Sequence, residues 1–189
     1  MSNEVYHLLV TKECQHNCPK CCNRLYDLDA LPSITSEMLR GAHTVCITGG
    51  EPMCLGFMLV HLCYDIRMQY PNIQKLYVYT SDIGLLDSWE DARLIMFFNN
   101  IDGVNICPKN VMEWKRLRYI TDLTKFRPMY DERLSNRLYV FPEQRDLYVK
   151  HFERYADWFP KNMQVIGREW DMVFNTPENE HFVRLPILF

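Results

Sequence analysis

Short apolar segments rich in β-branched and aromatic residues alternate along this chain with longer helix-like stretches, and this alternation limits the possible folds more than any other sequence feature. Strands are predicted at residues 6–10, 44–48, 76–80, 103–107, 138–141 and 171–174. Helices are predicted at residues 55–70, 89–99, 111–123 and 143–159. This order favours an α/β fold, in which mostly parallel strands are joined by right-handed crossovers. Such sheets place their chemistry at the carboxyl ends of the strands.

Length and charge narrow the class of protein. A chain of 189 residues is expected to form a single domain, residues 1–189. Its net charge of -3 gives no support for a nucleic-acid partner or for attraction to an anionic membrane. No apolar run approaches the roughly 20 residues of a membrane-spanning helix, and the start of the chain lacks a signal-peptide pattern. We therefore expect a cytoplasmic protein without a membrane partner.

Eight cysteines need an explanation, because disulfides are rare in a reducing cytosol. Directly after the first predicted strand, the string CQHNCPKCCN spaces Cys14, Cys18 and Cys21 as CxxxCxxC. A structural zinc site needs a fourth ligand, which Cys22 or His16 could supply. An iron-sulfur cluster on three cysteines leaves one iron open. The spacing favours the cluster only slightly, so both metals remain alternatives.

The other cysteines show no compact ligand spacing. Cys54 and Cys107 fall near predicted strand ends, Cys46 lies in a predicted strand and Cys63 in a predicted helix. We interpret these four as small buried hydrophobic residues rather than as ligands of a second cluster.

A second motif follows the second predicted strand, which runs directly into Gly49, Gly50, Glu51 and Pro52. Two glycines without Cβ atoms allow the backbone to approach a ligand closely at the end of a strand. The Glu51 carboxylate adds an acceptor for an ammonium group. A glycine pair alone is more often a simple turn, so the value of this motif lies in its combination with the cysteines.

CxxxCxxC after a first strand, followed by GGEP after a second, resembles the radical S-adenosylmethionine (radical SAM) superfamily. The resemblance implies a partial (β/α)6 barrel and a 4Fe-4S cluster whose three protein ligands are Cys14, Cys18 and Cys21. It implies that S-adenosylmethionine fills the fourth iron position, and that its reductive cleavage forms a 5'-deoxyadenosyl radical, which abstracts a hydrogen atom from the substrate. Flavodoxin or ferredoxin is the expected type of electron donor.

The same resemblance assigns the cofactor-binding residues. Gly49, Gly50 and Glu51 would bind the methionine amino group, with Pro52 shaping the turn. Thr80 or Ser81 would lie near the ribose or carboxylate, and Asn105 near the carboxylate or adenosine. Hydroxyls that end a strand are more often turn or helix caps than ligands.

The chain departs from the family at Lys20, where many members carry an aromatic residue before the third cysteine. Cys22 is an alternative third ligand, but CPKCCN aligns better with family members that read CxxCxN. This alignment makes Cys21 the ligand and Cys22 a variable position.

The target of the radical is left open by the sequence, and no catalytic residue is assigned. CPKCCN resembles the activating enzymes that install a glycyl radical in anaerobic ribonucleotide reductase, whereas ITGGEP resembles the deazaguanine synthases as well. Lys109 and Arg145 are candidates to bind an anionic substrate. A zinc or iron-sulfur interaction module without catalysis is the alternative from another class. The apolar end of the chain, residues 182–189, is expected to dock on the barrel or on another subunit.

Overall fold

The computed structural model describes residues 3–16, 18, 21, 23, 27–153, 162–169 and 176–186. Its strands are β1 (Val5–Thr11), β2 (Thr44–Gly49), β3 (Lys75–Thr80), β4 (Gly103–Ile106), β5 (Asn136–Val140), β6 (Met163–Gly167) and β7 (Glu180–Arg184). Its helices are α1 (Ser36–Gly41), α2 (Phe57–Gln69), α3 (Asp91–Asn100), α4 (Val111–Thr121) and α5 (Arg145–His151). The 3-10 segments Pro52–Leu55, Ile83–Ser88, Thr124–Tyr130 and Pro142–Gln144 lie between them.

The seven strands form one open sheet in the order β6-β5-β4-β3-β2-β1-β7, and every described pairing is parallel. From β1 to β6, each strand therefore lies beside the strand that precedes it in the chain. Because crossovers between parallel strands are right-handed, a sheet wound steadily in one direction receives its helices on one face. The α/β class and the parallel sheet are confirmed.

The core lies on that helix-covered face. Alternate strand residues such as Leu8, Ile47 and Val78 are buried in one apolar cluster with side chains of α2, α3 and α4. Side chains alternate between the two faces of a strand, so the residues between them point the other way. No described helix covers this second face, which we call the open face. Its register neighbours include His7, Cys46 and Tyr77.

The edge strands differ most from expectation. Strands predicted at residues 6–10, 44–48, 76–80, 103–107 and 138–141 match β1 to β5, but the strand predicted at 171–174 lies outside the described residues. β6 and β7 were not predicted, because their sequences, MQVIG and EHFVR, mix apolar and polar residues and are only partly buried. The expected docking of the chain end is confirmed for Phe182–Arg184, which pair with β1, while residues 187–189 lie outside the described part.

The helices shift at their ends. The helix predicted from residue 55 begins at Phe57, because Pro52–Leu55 form a 3-10 segment and Gly56 takes a positive φ of 56°. The helix predicted from residue 143 begins at Arg145, and residues 154–160 lie outside the described part. α1 was missed because it has only six residues; Thr35 caps it by accepting a hydrogen bond from the Met38 amide. Within the described residues, no helix combines the length and apolar character needed to cross a membrane.

Candidate functional site

The carboxyl ends of β1 to β4 meet at one edge of the sheet, because these strands are adjacent and parallel. Gly49 ends β2, and Glu51 caps the following 3-10 segment, in which Pro52 is the first residue. Thr80 ends β3, with Ser81 directly after it. Asn105 lies in β4, one residue before its end. The cysteine loop leaves β1 at this same edge, so the predicted residues share one region of the molecule.

The glycine pair packs against the backbone that leads into the cysteine loop. The Gly50 amide donates to the Thr11 carbonyl over 2.7 Å, and the Glu51 amide donates to the Glu13 carbonyl over 2.8 Å. A Cβ atom on Gly50 would lie 1.9 Å from the Glu13 carbonyl oxygen, and one on Gly49 would lie 2.5 Å from that of Thr11. Gly49 also has a φ of 128°, which favours glycine. The close approach expected of these glycines is therefore made to the loop before Cys14.

The Glu51 carboxylate is the centre of a buried hydrogen-bond network. Glu51 is only 1% exposed. Its Oε1 accepts from the Thr80 hydroxyl over 2.7 Å and from the Met53 amide over 3.2 Å. Its Oε2 accepts from the Ser81 amide and hydroxyl over 2.9 and 3.0 Å. The two hydroxyls can rotate, so they are the donors that an arriving ammonium group can displace.

Thr80 and Ser81 consequently act on Glu51 in this structure. Thr80 Oγ1 also accepts from the Asp82 amide over 3.0 Å, which makes it a turn residue at the end of β3. Both hydroxyls hold the carboxylate toward the sheet edge. They lie within one hydrogen bond of the residue expected to bind the amino group, while their expected contact with ribose or carboxylate stays a prediction.

Cys14 is exposed, whereas Cys18 and Cys21 are partly buried. Burial raises the pKa of the Cys18 thiol to about 11, the Lys109 ammonium lowers it, and Glu113, Cys21 and Cys14 raise it further. Burial likewise raises the pKa of Cys14, with contributions from Glu51 and Cys21. The three sulfurs are thus close enough to interact electrostatically. Among the described residues, no group of three or more His, Cys, Asp or Glu side chains has a geometry ready to hold a metal ion.

His16 ties the cysteine loop to α4. Its Nδ1 lies 2.7 Å from Oε1 of Glu113, a residue that is 1% exposed. Its buried Nε2 has no hydrogen-bond partner among the described residues. Burial raises the pKa of the Glu113 carboxyl group, and the nearby charges of Asp82 and Glu51 raise it further. The hydrogen bond from the Lys109 amide and the charge of His16 lower it, but the net shift is upward. Glu113 therefore anchors the loop between Cys14 and Cys18 to the scaffold.

Glu113 is a residue that the sequence analysis missed. Asn110 caps α4 by accepting from the Glu113 amide over 3.1 Å, and the Asn110 side chain in turn donates to the Glu113 carboxylate. Asn-x-x-Glu at a helix start is a capping-box pattern, and this signal was available in the string NVME. The pattern does not show that the carboxylate is buried against His16, since that contact joins distant parts of the chain.

Lys109 stands between this edge and β5. Its Nζ donates to the Cys107 sulfur over 2.9 Å and lies 4.3 Å from the centre of the Phe141 ring. Arg145, the other predicted anion-binding residue, is a surface side chain 3.7 Å from Glu153. The structure thus brings Lys109, but not Arg145, close to the cysteines.

The remaining cysteines separate into two pairs. Cys46 and Cys63 are buried, and burial raises the pKa of each thiol to about 12, which confirms their interpretation as buried hydrophobic residues. Cys54 and Cys107 are only partly buried. The pKa of Cys54 is raised by burial and by the charges of Glu51 and Cys14, so this thiol lies near the cysteine loop.

Two cavities flank the site. One of about 350 Å³ lies at the ends of β5 and β6, between Phe141, Tyr148 and Arg168. The other, of about 40 Å³, lies on the open face between His7, Leu31 and Phe182. The larger one falls within the roughly 300–1,000 Å³ of typical small-molecule sites.

Asn105 is fully buried on the open face, and neither its amide nitrogen nor its amide oxygen has a hydrogen-bond partner in the part of the chain that the structure describes. Native proteins rarely leave such groups unsatisfied.

In comparisons with known proteins, no family model matches the chain and no curated protein sequence matches it.

Proposed function

We propose that this protein is a radical SAM enzyme that binds a 4Fe-4S cluster and S-adenosylmethionine at the carboxyl edge of its sheet. One observation carries the proposal: the loop that contains Cys14, Cys18 and Cys21 is hydrogen-bonded directly to the Gly49–Glu51 turn. The two motifs are more than 25 residues apart in sequence, yet only glycines fit at their junction. The turn also holds a buried carboxylate, Glu51, whose charge acts on the Cys14 and Cys54 thiols.

By chemical type, the residues present fit these cofactors. The three thiols lie close enough to influence one another, and they would hold three irons of a cluster and leave one iron to the cofactor. Glu51, with Thr80 and Ser81 as exchangeable hydrogen-bond partners, offers a buried carboxylate for the methionine ammonium. The unpartnered amide of Asn105 offers one donor group and one acceptor to the carboxylate or adenosine.

A bound and reduced cluster held by Cys14, Cys18 and Cys21 would supply the electron for reductive cleavage of S-adenosylmethionine and thus the radical chemistry on the substrate. The chain's own contribution is to orient and to exclude water. His16 and Glu113 fix the cysteine loop against α4. The buried network around Glu51 fixes the position at which the methionine end of the cofactor binds.

We further propose that the sheet belongs to a partial (β/α)6 barrel. Consecutive strands are neighbours from β1 to β6, and the apolar core lies on one face only. The open face, polar and aromatic, then forms the inside of the barrel, where a substrate would bind. A flavodoxin- or ferredoxin-like protein is the proposed electron donor.

The proposal is tested by reconstituting the full chain anaerobically with iron and sulfide and incubating it with dithionite and S-adenosylmethionine. We expect 5'-deoxyadenosine and methionine to form in equal amounts. Cys18→Ala should abolish both products, and Cys63→Ala, which removes a buried thiol of α2, should not. An unchanged pool of S-adenosylmethionine in the wild-type protein would overturn the proposal.

One observation favours a second candidate, a structural zinc site. His16 presents its unpartnered Nε2 within the cysteine loop while Nδ1 contacts the Glu113 carboxylate, and zinc-binding histidines are typically held by a carboxylate in this way. Three cysteines and His16 would complete a four-ligand site. Metal analysis decides between them: a colourless protein with zinc and no acid-labile sulfide favours zinc, and a brown protein with iron and sulfide favours the cluster.

A further inference from the structure

The open face carries a row of polar side chains across the middle of the sheet. Tyr79, Asn105 and Arg137 are register neighbours on β3, β4 and β5, so they project from the same face. Among the described residues, neither amide atom of the buried Asn105 has a hydrogen-bond partner. Native proteins rarely leave a buried amide unpaired, so a ligand is expected to reach this part of the open face.

Two arginines lie beside this row, and each contacts an aromatic ring. The Arg137 guanidinium lies 4.8 Å from the centre of the Tyr77 ring, and that of Arg168 lies 5.5 Å from the centre of the Tyr139 ring. No ion pair within 4.0 Å joins either guanidinium to a described carboxylate. Arg137 is partly buried. Arg168 is exposed, so both side chains keep access to solvent, and neither guanidinium has a described carboxylate beside it.

The positive charges of Arg137 and Arg168 both act on the Tyr79 hydroxyl. Burial raises the pKa of the Tyr79 phenol, and Cys46 and Tyr139 raise it further, whereas Arg168 and Arg137 both lower it. Both guanidinium groups thus lie near the Tyr79 hydroxyl. Arg137 also lowers the pKa of Cys46, which burial raises.

Acidic side chains lie around the cysteines at the edge of the sheet, whereas the two arginines lie beside the row on the open face. Glu51, Asp82 and Glu113 surround the cysteines, where the acidic side chains influence one another. Asp82 is also ion-paired with Arg116.

The charged side chains in and beside the row are Arg137 and Arg168. The open face also carries the Glu180 carboxylate, which is ion-paired with His7 at the β7 edge of the sheet and raises the pKa of Cys46. An anion is therefore repelled from the acidic edge and attracted to the row, which lies one strand residue, about 3.3 Å, below that edge.

We propose that Arg137, Arg168 and Tyr79 form a binding site for a carboxylate or phosphate group of a small-molecule substrate, beside the Asn105 amide that is left to the cofactor. The guanidinium groups and the phenol donate hydrogen bonds to the oxyanion. Identifying this oxyanion with the substrate of the enzyme rests on the proposed function, whereas binding of the oxyanion itself does not. The anchored end leaves the rest of the molecule to extend along the strands toward the cysteine edge.

The test uses phenylglyoxal, which modifies accessible arginines, on the full chain with peptide mapping by mass spectrometry. Inorganic phosphate and succinate are the two probes, each raised until the modification rate stops changing, and sodium chloride at the same ionic strength is the control. We expect the rates at Arg137 and Arg168 to fall by about tenfold, as a saturating bidentate oxyanion covers each guanidinium. Arg40, exposed at the end of α1, should be unaffected.

Protection by phosphate alone supports a phosphate-bearing substrate, protection by succinate alone a carboxylate, and protection by both a shared oxyanion site. Protection by neither, or equal protection by chloride, overturns the inference. Arg137→Gln should remove the protection of Arg168, and Arg40→Gln should leave it intact. If S-adenosylmethionine is cleaved but no protection is seen, this inference alone fails; if protection is seen without any iron-sulfur cluster, the proposed function alone fails.

Discussion

Gly50→Ala tests the junction between the cysteine loop and the Gly49–Glu51 turn. The added Cβ atom would lie 1.9 Å from the Glu13 carbonyl oxygen and 2.9 Å from the Lys12 carbonyl carbon, and both are backbone atoms that no side-chain rotation can move. Relief requires a shift of about 1.1 Å or more, because real Cβ atoms stay beyond 3.0 Å. That shift breaks the hydrogen bonds from Gly50 to Thr11 and from Glu51 to Glu13.

The cost follows from these contacts. Two backbone hydrogen bonds at about 1 kcal/mol each, together with overpacking of about 1–3 kcal/mol, predict a loss of about 3–5 kcal/mol in the free energy of unfolding. At an m-value of about 2 kcal/mol/M, the urea midpoint should fall by roughly 1.5–2.5 M. The assay is urea unfolding of the metal-free chain, followed by far-ultraviolet circular dichroism.

Gly41→Ala is the matched control, because nothing lies within 4 Å of the Cβ atom it would add at the end of α1. Its free energy of unfolding should stay within about 1 kcal/mol of the wild-type value, because alanine reduces the conformational freedom of the unfolded chain without a clash in the folded one. Equal midpoints for Gly50→Ala and Gly41→Ala would refute the proposed close packing of the two motifs.

Three further changes test other parts of the account. Glu51→Gln places an amide nitrogen among hydroxyl and amide donors, so it should lower the free energy of unfolding in urea by about 1–3 kcal/mol and weaken the binding of S-adenosylmethionine. The exposed Glu132→Gln should change neither quantity. Asn136→Ala removes a buried side chain that accepts a hydrogen bond from the Val104 amide and donates one to the Met129 carbonyl, so it should lower the free energy of unfolding by about 2–4 kcal/mol. The surface change Asn99→Ala should alter it by less than about 0.5 kcal/mol. Equal effects of the two changes would contradict this role of Asn136. Because burial raises the pKa of Cys63 from 9.0 to about 12, the unfolded thiol ionises first, and stability from the neutral thiol is lost above pH 9. Between pH 8 and 10 in reducing buffer, the wild type should lose about 1.4 kcal/mol more than Cys63→Ala, and parallel pH profiles would rule out this shift.

The centre of the sheet was predictable because its strands have the simplest sequence signal. β2 and β3 are short apolar runs buried between neighbouring strands, and each ends at a turn. β6 and β7 lie at the edges, where one side of the strand has no neighbour. Glutamine, histidine and arginine are tolerated there, so no apolar run marks these strands.

The proximity of the candidate residues was predictable, but their partners were not. GGEP and the cysteine spacing pointed to Glu51 and Cys14 at one edge of the sheet, yet the sequence could not show that Gly50 packs on Glu13, a contact between distant backbone segments. For the same reason, Thr80 appeared as a cofactor ligand or a cap, and not as a partner of Glu51.

The row on the open face depends on register. Asn105 was expected near the cofactor from the family resemblance, whereas Arg137 was not singled out, because an arginine within a strand usually faces solvent. Only the pairing of β4 with β5 places Arg137 beside Asn105. Side chains brought together by strand register are the part of a site that local sequence patterns do not encode.

The central claim is that the cysteine loop and the Glu51 turn hold one cofactor site, and the most direct measurement is electron paramagnetic resonance of the dithionite-reduced, reconstituted protein with and without S-adenosylmethionine. We predict the signal of a reduced 4Fe-4S cluster, a clear change in that signal when S-adenosylmethionine is added, and a smaller change in Glu51→Gln at the same cofactor concentration. A protein without an iron-sulfur signal, or a signal that S-adenosylmethionine leaves unchanged, would contradict the claim.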